Sequence, residues 1–311
     1  MRDRNSDLSH RLVLGCEPLG GTDWGQFDMS EARATVMQAW DMGVRYFDTA
    51  DVYGLGQGEV ELCKALGQNR HNANIITKFG CRWTNTNDPG KRALVWKDAS
   101  ADYLTKAVEG SLRRLGIDTI PIYLLHWPDD LTPLRETLDA LEELKESGKI
   151  RSFGVSNFLY SQIEDYLNEY KLDYLQSELS LLSKPSALVN FKSFKAAGLK
   201  TLAYGPLAQG LLTGKYSPSS IFGSDDRRYR LTHFSQKAWT DNIEILELVT
   251  AVAKAHETST AQVALRWVLN KGVDGVVVGA KTRDQLMTNL AVLDLEIEEA
   301  WETALDRRVL L

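Results

Sequence analysis

Along the chain, short runs rich in β-branched and aromatic residues alternate with longer stretches whose apolar positions recur every three or four residues. Eight runs read as strands: Leu12–Leu14, Arg45–Phe47, Ile75–Lys78, Ile120–Leu125, Ser152–Val155, Tyr174–Ser177, Thr201–Tyr204 and Gly275–Val278. All are too short for helices. The intervening stretches have helical spacing and readable ends. Ser30 can cap a helix that runs through Met42 and stops at Gly43. Leu104, Val108, Leu112 and Leu115 form one apolar stripe that ends at Gly116. Thr132-Pro133 reads as an N-cap followed by a first-turn proline, ahead of the stripe Leu134, Leu138, Leu141 and Leu144. Ser259 and Gln262 have capping-box spacing before the Val263/Trp267 helix.

Alternating strands and helices imply a parallel sheet with crossover helices. Either a closed barrel or an open doubly wound sheet would satisfy that pattern. Eight units in a chain of 311 residues favour the (β/α)8 barrel, with residues 1–311 as one domain. Ser217–Thr232, polar and irregular, reads as a long loop after the seventh strand.

Composition changes this picture little. Hydrophobic residues make up 43% and charged residues 25%, ordinary for a globular protein. The net charge of −6 and the lack of a basic run speak against a nucleic-acid partner. Arg113/Arg114 and Arg227/Arg228 read as solvated surface. Cys16, Cys63 and Cys81 are sparse, odd in number and without metal-ligand spacing, as suits a reducing compartment. The charged N-terminus lacks the apolar core of a secretion signal, and no window is long enough to span a bilayer. A cytoplasmic protein without a membrane partner is the expectation.

Chemistry enters with the polar residues at the strand ends. In a barrel of this kind the active site is built at the C-terminal ends of the strands. Asp48, Lys78, His126, Ser156, Asn157, Gln176 and Tyr204 all fall at such ends. Singly, each reads as an ordinary loop-facing or hydrogen-bonded residue. Together they would share one barrel mouth, where burying Lys and Asp is costly unless they pair or act. A metal hydrolase is disfavoured, because His10, His71, His126, His233 and His256 form no ligand motif. Gly54-Leu55-Gly56-Gln57-Gly58 has the wrong spacing and context for a dinucleotide fingerprint and reads as a mobile turn.

The chain resembles the aldo-keto reductase superfamily from about Leu12 to Leu295. The resemblance rests on Phe47-Asp48-Thr49-Ala50-Asp51-Val52-Tyr53-Gly54, Thr77-Lys78, Leu125-His126-Trp127-Pro128-Asp129, Gly154-Val155-Ser156-Asn157-Phe158, Ala203-Tyr204-Gly205-Pro206-Leu207 and Gly210–Gly214, in order and with matching spacing. It implies reduction of an aldehyde or ketone, or the reverse oxidation, with Tyr53 as proton donor. Lys78, held by Asp48, would lower the phenol's pKa from about 10, and His126 would orient the carbonyl oxygen. Ser156, Asn157 and Gln176 would hold the nicotinamide carboxamide, with Tyr204 and Leu207 against the ring. Gly279, Lys281, Thr282, Gln285 and Asn289 would line the adenosine-phosphate segment. The Thr282/Gln285 pair also has capping-box spacing, so a helix N-terminus is expected there. Lys281, and with it Arg283, would favour NADP(H) over NAD(H) by pairing with a 2′-phosphate; the alternative, which weighs more for Arg283 than for Lys281, is a surface cation beside a cap.

Two features depart from the resemblance. Glu17 follows the first strand, where it could face substrate or pair with a neighbouring loop. The chain stops soon after its last amphipathic stretch, so a C-terminal lid is not expected. That leaves an open mouth suited to a polar, sugar-like carbonyl or alcohol, shaped by Trp24, Trp83, Trp96 or Trp127. A cofactor-sensing subunit with little turnover is the alternative reading. A Schiff-base role for Lys78 is weaker, because an Asp-paired lysine stays protonated.

Overall fold

The computed structural model describes residues 11–84 and 93–310. His10, the charged segment before it and Leu311 lie outside the described residues.

In chain order the elements are β1 (Leu12–Gly15), α1 (Met29–Asp41), β2 (Tyr46–Asp48), α2 (Gln57–Leu66), β3 (Asn74–Phe79), β4 (Cys81–Trp83), β5 (Val95–Lys97), α3 (Ala101–Leu115), β6 (Ile120–Leu125), α4 (Leu134–Glu146), β7 (Ile150–Ser156), β8 (Tyr174–Glu178), α5 (Pro185–Ala196), β9 (Lys200–Tyr204), α6 (Gln236–Ala255), α7 (Thr260–Asn270), β10 (Gly275–Gly279), α8 (Arg283–Leu290) and α9 (Glu299–Leu310). Eight strands close a parallel barrel in the order β1-β10-β9-β8-β7-β6-β3-β2. All eight runs predicted as strands are in it. The antiparallel pair β4–β5, which the sequence reading missed, hangs from the end of β3. The β7–β8 crossover carries only two short 3-10 turns in place of a helix.

Strand alternation sorts the side chains into two apolar layers. Phe47, Ile75, Phe79, Tyr123, Leu125, Phe153, Val155 and Leu175 face outward and pack under the helices. Val13, Ile76, Ile122, Leu124, Tyr174, Leu202 and Val277 fill the barrel interior. Asp48, Lys78, Gln176 and Tyr204 share the inward parity of Tyr46, Ile76, Tyr174 and Leu202, one step nearer the C-terminal ends. The same period-2 pattern therefore packs the core and delivers the polar set to the mouth. Gly154 is required on this inner face, because a Cβ there would lie 2.1 Å from the Tyr174 carbonyl oxygen.

Helix ends follow local chemistry, with two corrections. Asp28, and not Ser30, caps α1, accepting from the Ser30 and Glu31 N–H groups. Pro133 occupies the cap position of α4, while the Thr132 hydroxyl donates to Asp129 at 2.7 Å. Gly116 ends α3 in the left-handed conformation, and Ser259 with Gln262 forms the full capping box of α7. In the α3 stripe Leu104, Val108 and Leu115 are fully buried, each worth about 1.5–3 kcal/mol, whereas Leu112 is half-buried.

The segment between β9 and α6, read as a long loop, crosses the mouth and meets the loop after β1. Trp24 and Asp226 form an isolated antiparallel bridge. Asp23 pairs with Arg230 at 2.5 Å, and Glu17 pairs with Arg227. Arg228 is buried against Asp226, with Nε donating at 2.8 Å. Arg227 and Arg228 are therefore not solvated surface. They fasten the two loops beside a ring cluster of Tyr216, Phe222 and Phe234.

Candidate active site

The centre of the mouth is a buried ion pair. Lys78 Nζ donates to Asp48 Oδ1 at 2.8 Å and to the Thr49 carbonyl at 2.8 Å. Gln176 Nε2 donates to Asp48 Oδ2 at 2.7 Å, so both carboxylate oxygens are engaged. Lys78 and Asp48 are 1% and 4% exposed, which leaves the pair with almost no contact with bulk solvent.

Tyr53 stands beside this pair on the turn between β2 and α2. Its ring centroid is 5.2 Å from Lys78 Nζ and 5.9 Å from the His126 ring, which it meets edge-on. The turn is clamped from outside. Gly54 has φ +58, and a Cβ there would lie 2.1 Å from the Gly20 carbonyl oxygen. Behind it, buried Glu59 accepts from Thr77 Oγ1 and from Arg114 Nε, each at 2.6 Å. Arg114, read as surface, is a structural cation joining α3 to α2. The Gly54–Gly58 stretch, read as mobile, is packed on both sides.

Electrostatics give this set distinct protonation states. Burial, then the Glu17 and Asp48 charges, hold the Tyr53 phenol well above its ordinary 10. The expected lowering by Lys78 is not found, because the Asp48 carboxylate at 2.8 Å offsets the ammonium charge. Tyr53 is therefore protonated at neutral pH. Burial, and then Lys78, push the His126 imidazole well below 6.5, so it is neutral. Its Nδ1 is buried and has no hydrogen-bond partner among the described residues.

On the opposite wall Asn157 takes a left-handed conformation, φ +64, which its short amide side chain tolerates. Its Nδ2 donates to the His126 carbonyl at 2.9 Å and to Ser156 Oγ at 3.1 Å, and its Oδ1 accepts from the Tyr204 hydroxyl at 2.8 Å. Ser156, Asn157, Gln176 and Tyr204 are thus wired to one another or to the Lys78–Asp48 pair. Leu207 is half-buried just past β9.

At the β1/β10 edge, Gly15 and Gly279 pair at the strand ends, which leaves backbone without side chains there. Thr282 caps α8 by accepting from Gln285 N. Gln285 Oε1 accepts from the Lys281 N–H at 2.8 Å, in place of the Thr282 N–H that a full capping box uses. Asn289 is buried and donates to the Gly279 carbonyl at 3.2 Å, tying α8 to β10. Lys281 is half-buried over the Phe27 ring, 5.1 Å from its centroid, and its pKa is lowered by burial and then by Arg228. Arg283 is exposed.

Of the four tryptophans, Trp127 lies against His126. It stacks on His126 at 6.4 Å and is 39% exposed. Trp24 is held between the loops, with Arg227 and Arg228 over its ring at 5.6 and 5.9 Å. Trp83 and Trp96 sit on the β4–β5 hairpin, where Arg82 covers Trp96. Glu17 takes the loop-pairing alternative, through Arg227. Among the described residues no group of three His, Cys, Asp or Glu side chains could hold a metal ion. No helix is long and apolar enough to cross a membrane.

Comparison with known proteins gives the family and the fold. The sequence profile of the Aldo/keto reductase family matches residues 11–307. Aldo-keto reductase YhdN of Bacillus subtilis (strain 168) is 32% identical over 89% of this chain and 82% of its own. The NADH-specific methylglyoxal reductase of Escherichia coli (strain K12) is 31% identical over 93% of this chain and 91% of its own. The solved glycerol dehydrogenase AKR11B4 from Gluconobacter oxydans superposes with a TM-score of 0.86 at 31% identity, covering 96% of this chain and 91% of that one. The chain belongs to the aldo/keto reductase family and is a nicotinamide-dependent oxidoreductase acting between carbonyl and alcohol groups.

Proposed function

We propose that the protein is a cytoplasmic reductase of one domain that uses NADP(H) in preference to NAD(H), with Tyr53 as the acid that protonates the nascent alkoxide. The observation that carries this reading is the convergence of Tyr53, the buried Lys78–Asp48 pair and neutral His126 on one point of the barrel mouth. The mouth suits a nicotinamide nucleotide. Gly15 and Gly279 leave backbone open at the strand ends, and the buried Nδ1 of His126 has no partner among the described residues. When bound, the nicotinamide supplies or accepts the hydride. Ser156, Asn157 and Gln176 would hold its carboxamide, with Tyr204 and Leu207 against the ring. Thr282 and Gln285 at the start of α8 would face phosphate, and Lys281 would meet a 2′-phosphate.

Each protein group then has one task. His126, neutral, offers a single N–H to the carbonyl oxygen and fixes its direction without adding a net charge. Tyr53, protonated, delivers its proton to that oxygen as negative charge develops there. Lys78, ion-paired to Asp48, stands beside the ring and fixes where the phenolate forms. In the oxidative direction the same phenolate recovers the proton from the alcohol. The substrate is a small polar carbonyl or alcohol.

NADPH and NADH binding, followed by fluorescence quenching in the native protein and in Lys281→Ala, tests the proposal. It predicts tighter NADPH binding, weakened in the variant about tenfold or more, with NADH little changed. Equal affinity for both cofactors would overturn the NADP(H) assignment, and failure to bind either would overturn the proposed cofactor and active-site assignments.

A further inference from the structure

Among the described residues, Lys97 is a cation on the substrate side of the mouth that the mechanism does not use. The β4–β5 hairpin follows directly from β3, the Lys78 strand, and its register sets Lys97 opposite Cys81, three residues past Lys78. Lys97 is exposed, with Nζ 5.8 Å from the centroid of Trp127. Trp127 in turn stacks on His126, which meets Tyr53. An unbroken row of contacts therefore leads from the proton donor to an ammonium group at the rim.

The neighbouring charges are already satisfied. Arg82, on the same hairpin, pairs with Asp98 at 2.9 Å. Asp129 receives Ala99 N, Leu131 N and Thr132 Oγ1 on its two oxygens; against burial, these bonds and, after them, the Lys97 charge hold its carboxyl below the usual carboxylate range. Glu17 and Asp23 pair with Arg227 and Arg230 across the mouth. Among the described residues Lys97 has no carboxylate within ion-pair distance. Beneath it lies an aromatic face that a substrate chain can cover.

We infer that Lys97 and Trp127 form a subsite for an oxyanion on the carbonyl substrate, so that the preferred substrates are aldehydes or ketones bearing a carboxylate or a phosphate. The inference rests on the reductase reading above and names the substrate class of that same site. With the carbonyl at Tyr53 and His126, the chain lies along Trp127, and its charged end meets the ammonium. A lysine is a point charge without the fork of arginine, so the contact accepts either oxyanion.

The test compares two matched pairs with NADPH: succinate semialdehyde against butanal, and glyceraldehyde phosphate against glyceraldehyde, in native protein, Lys97→Ala and Lys97→Arg. The native enzyme should favour at least one charged member over its neutral partner. Lys97→Ala should raise KM for that member about 5- to 20-fold with kcat little changed, and leave the neutral substrates within about twofold. Lys97→Arg should restore the preference, and high salt should weaken it. A response in one pair alone identifies the oxyanion. A native preference for both neutral partners, or an equal change for charged and neutral substrates in Lys97→Ala, overturns the subsite while the reductase reading stands. Lack of turnover on all four overturns both.

Discussion

Removing the Lys78 ammonium should destabilise the protein chiefly through the charge it leaves behind. In Lys78→Met the side chain keeps its approximate volume, but Asp48 loses the cation at 2.8 Å and keeps the Gln176 amide at 2.7 Å as its hydrogen-bond donor. The Thr49 carbonyl loses its 2.8 Å donor as well. Breaking a buried pair in this way costs about 3–5 kcal/mol, because one carboxylate is stranded in a medium that solvates it poorly. Adding Asp48→Asn removes that charge and leaves an amide that still accepts from Gln176. The double variant should therefore recover about 2–3 kcal/mol, the residue of the loss being the unpaired Thr49 carbonyl at about 1–2 kcal/mol. Urea unfolding of native protein, both single variants and the double, followed by tryptophan emission, closes the cycle. Additive losses, or a double variant less stable than Lys78→Met, would refute the claim that the cost of losing Lys78 is the uncompensated charge of Asp48.

Three further outcomes follow from the same geometry. Glu17→Gln removes a charge that raises the Tyr53 phenol and frees Arg227, which lowers it, so the alkaline limb of kcat/KM for reduction should move to lower pH; an unchanged or higher limb contradicts this. The His126 imidazole is depressed when folded, so the unfolded chain binds a proton there below about 6.5 and the native state does not. The resulting stability is complete above that pH and declines as pH falls towards the folded value; urea midpoints taken from about pH 7.5 to 5 should fall less steeply in His126→Gln than in native protein. Gly54→Ala forces a Cβ against the Gly20 carbonyl, 2.1 Å away, and should shift the Tyr53 turn and lower kcat about 100-fold; near-native turnover would show that the turn tolerates displacement.

The barrel was legible because its signal is repeated. Eight short runs bounded by amphipathic stretches announce strand–crossover units, and strand-end polar residues mark one rim. Asp48, Lys78, Gln176 and Tyr204 could be grouped because parity along a strand survives small errors in its bounds. Caps were less legible: Asp28 and Ser30 are both good cap residues, and only the observed turn decides between them. The β4–β5 hairpin was missed since Cys81–Trp83 and Val95–Lys97 are three residues each and pair only with one another. Arg114, Arg227 and Arg228 looked like surface because their partners Glu59, Glu17 and Asp226 are chosen by tertiary contact, which an unaligned string does not display. The Tyr53 phenol shows the same limit. Proximity to a lysine suggested a lowered pKa, but that lysine's charge is offset by Asp48, and burial dominates.

The central claim is that Tyr53 gives the proton, and single-turnover reduction of a carbonyl by NADPH-loaded Tyr53→Phe tests it most directly. The ring, its edge contact with His126 and the neighbouring Lys78–Asp48 pair all survive in phenylalanine; only the hydroxyl is lost. The account predicts NADPH binding within about twofold of native and a reduction rate lower by about 100- to 10,000-fold. A Tyr53→Phe enzyme that binds NADPH and reduces the carbonyl at close to the native rate would contradict it.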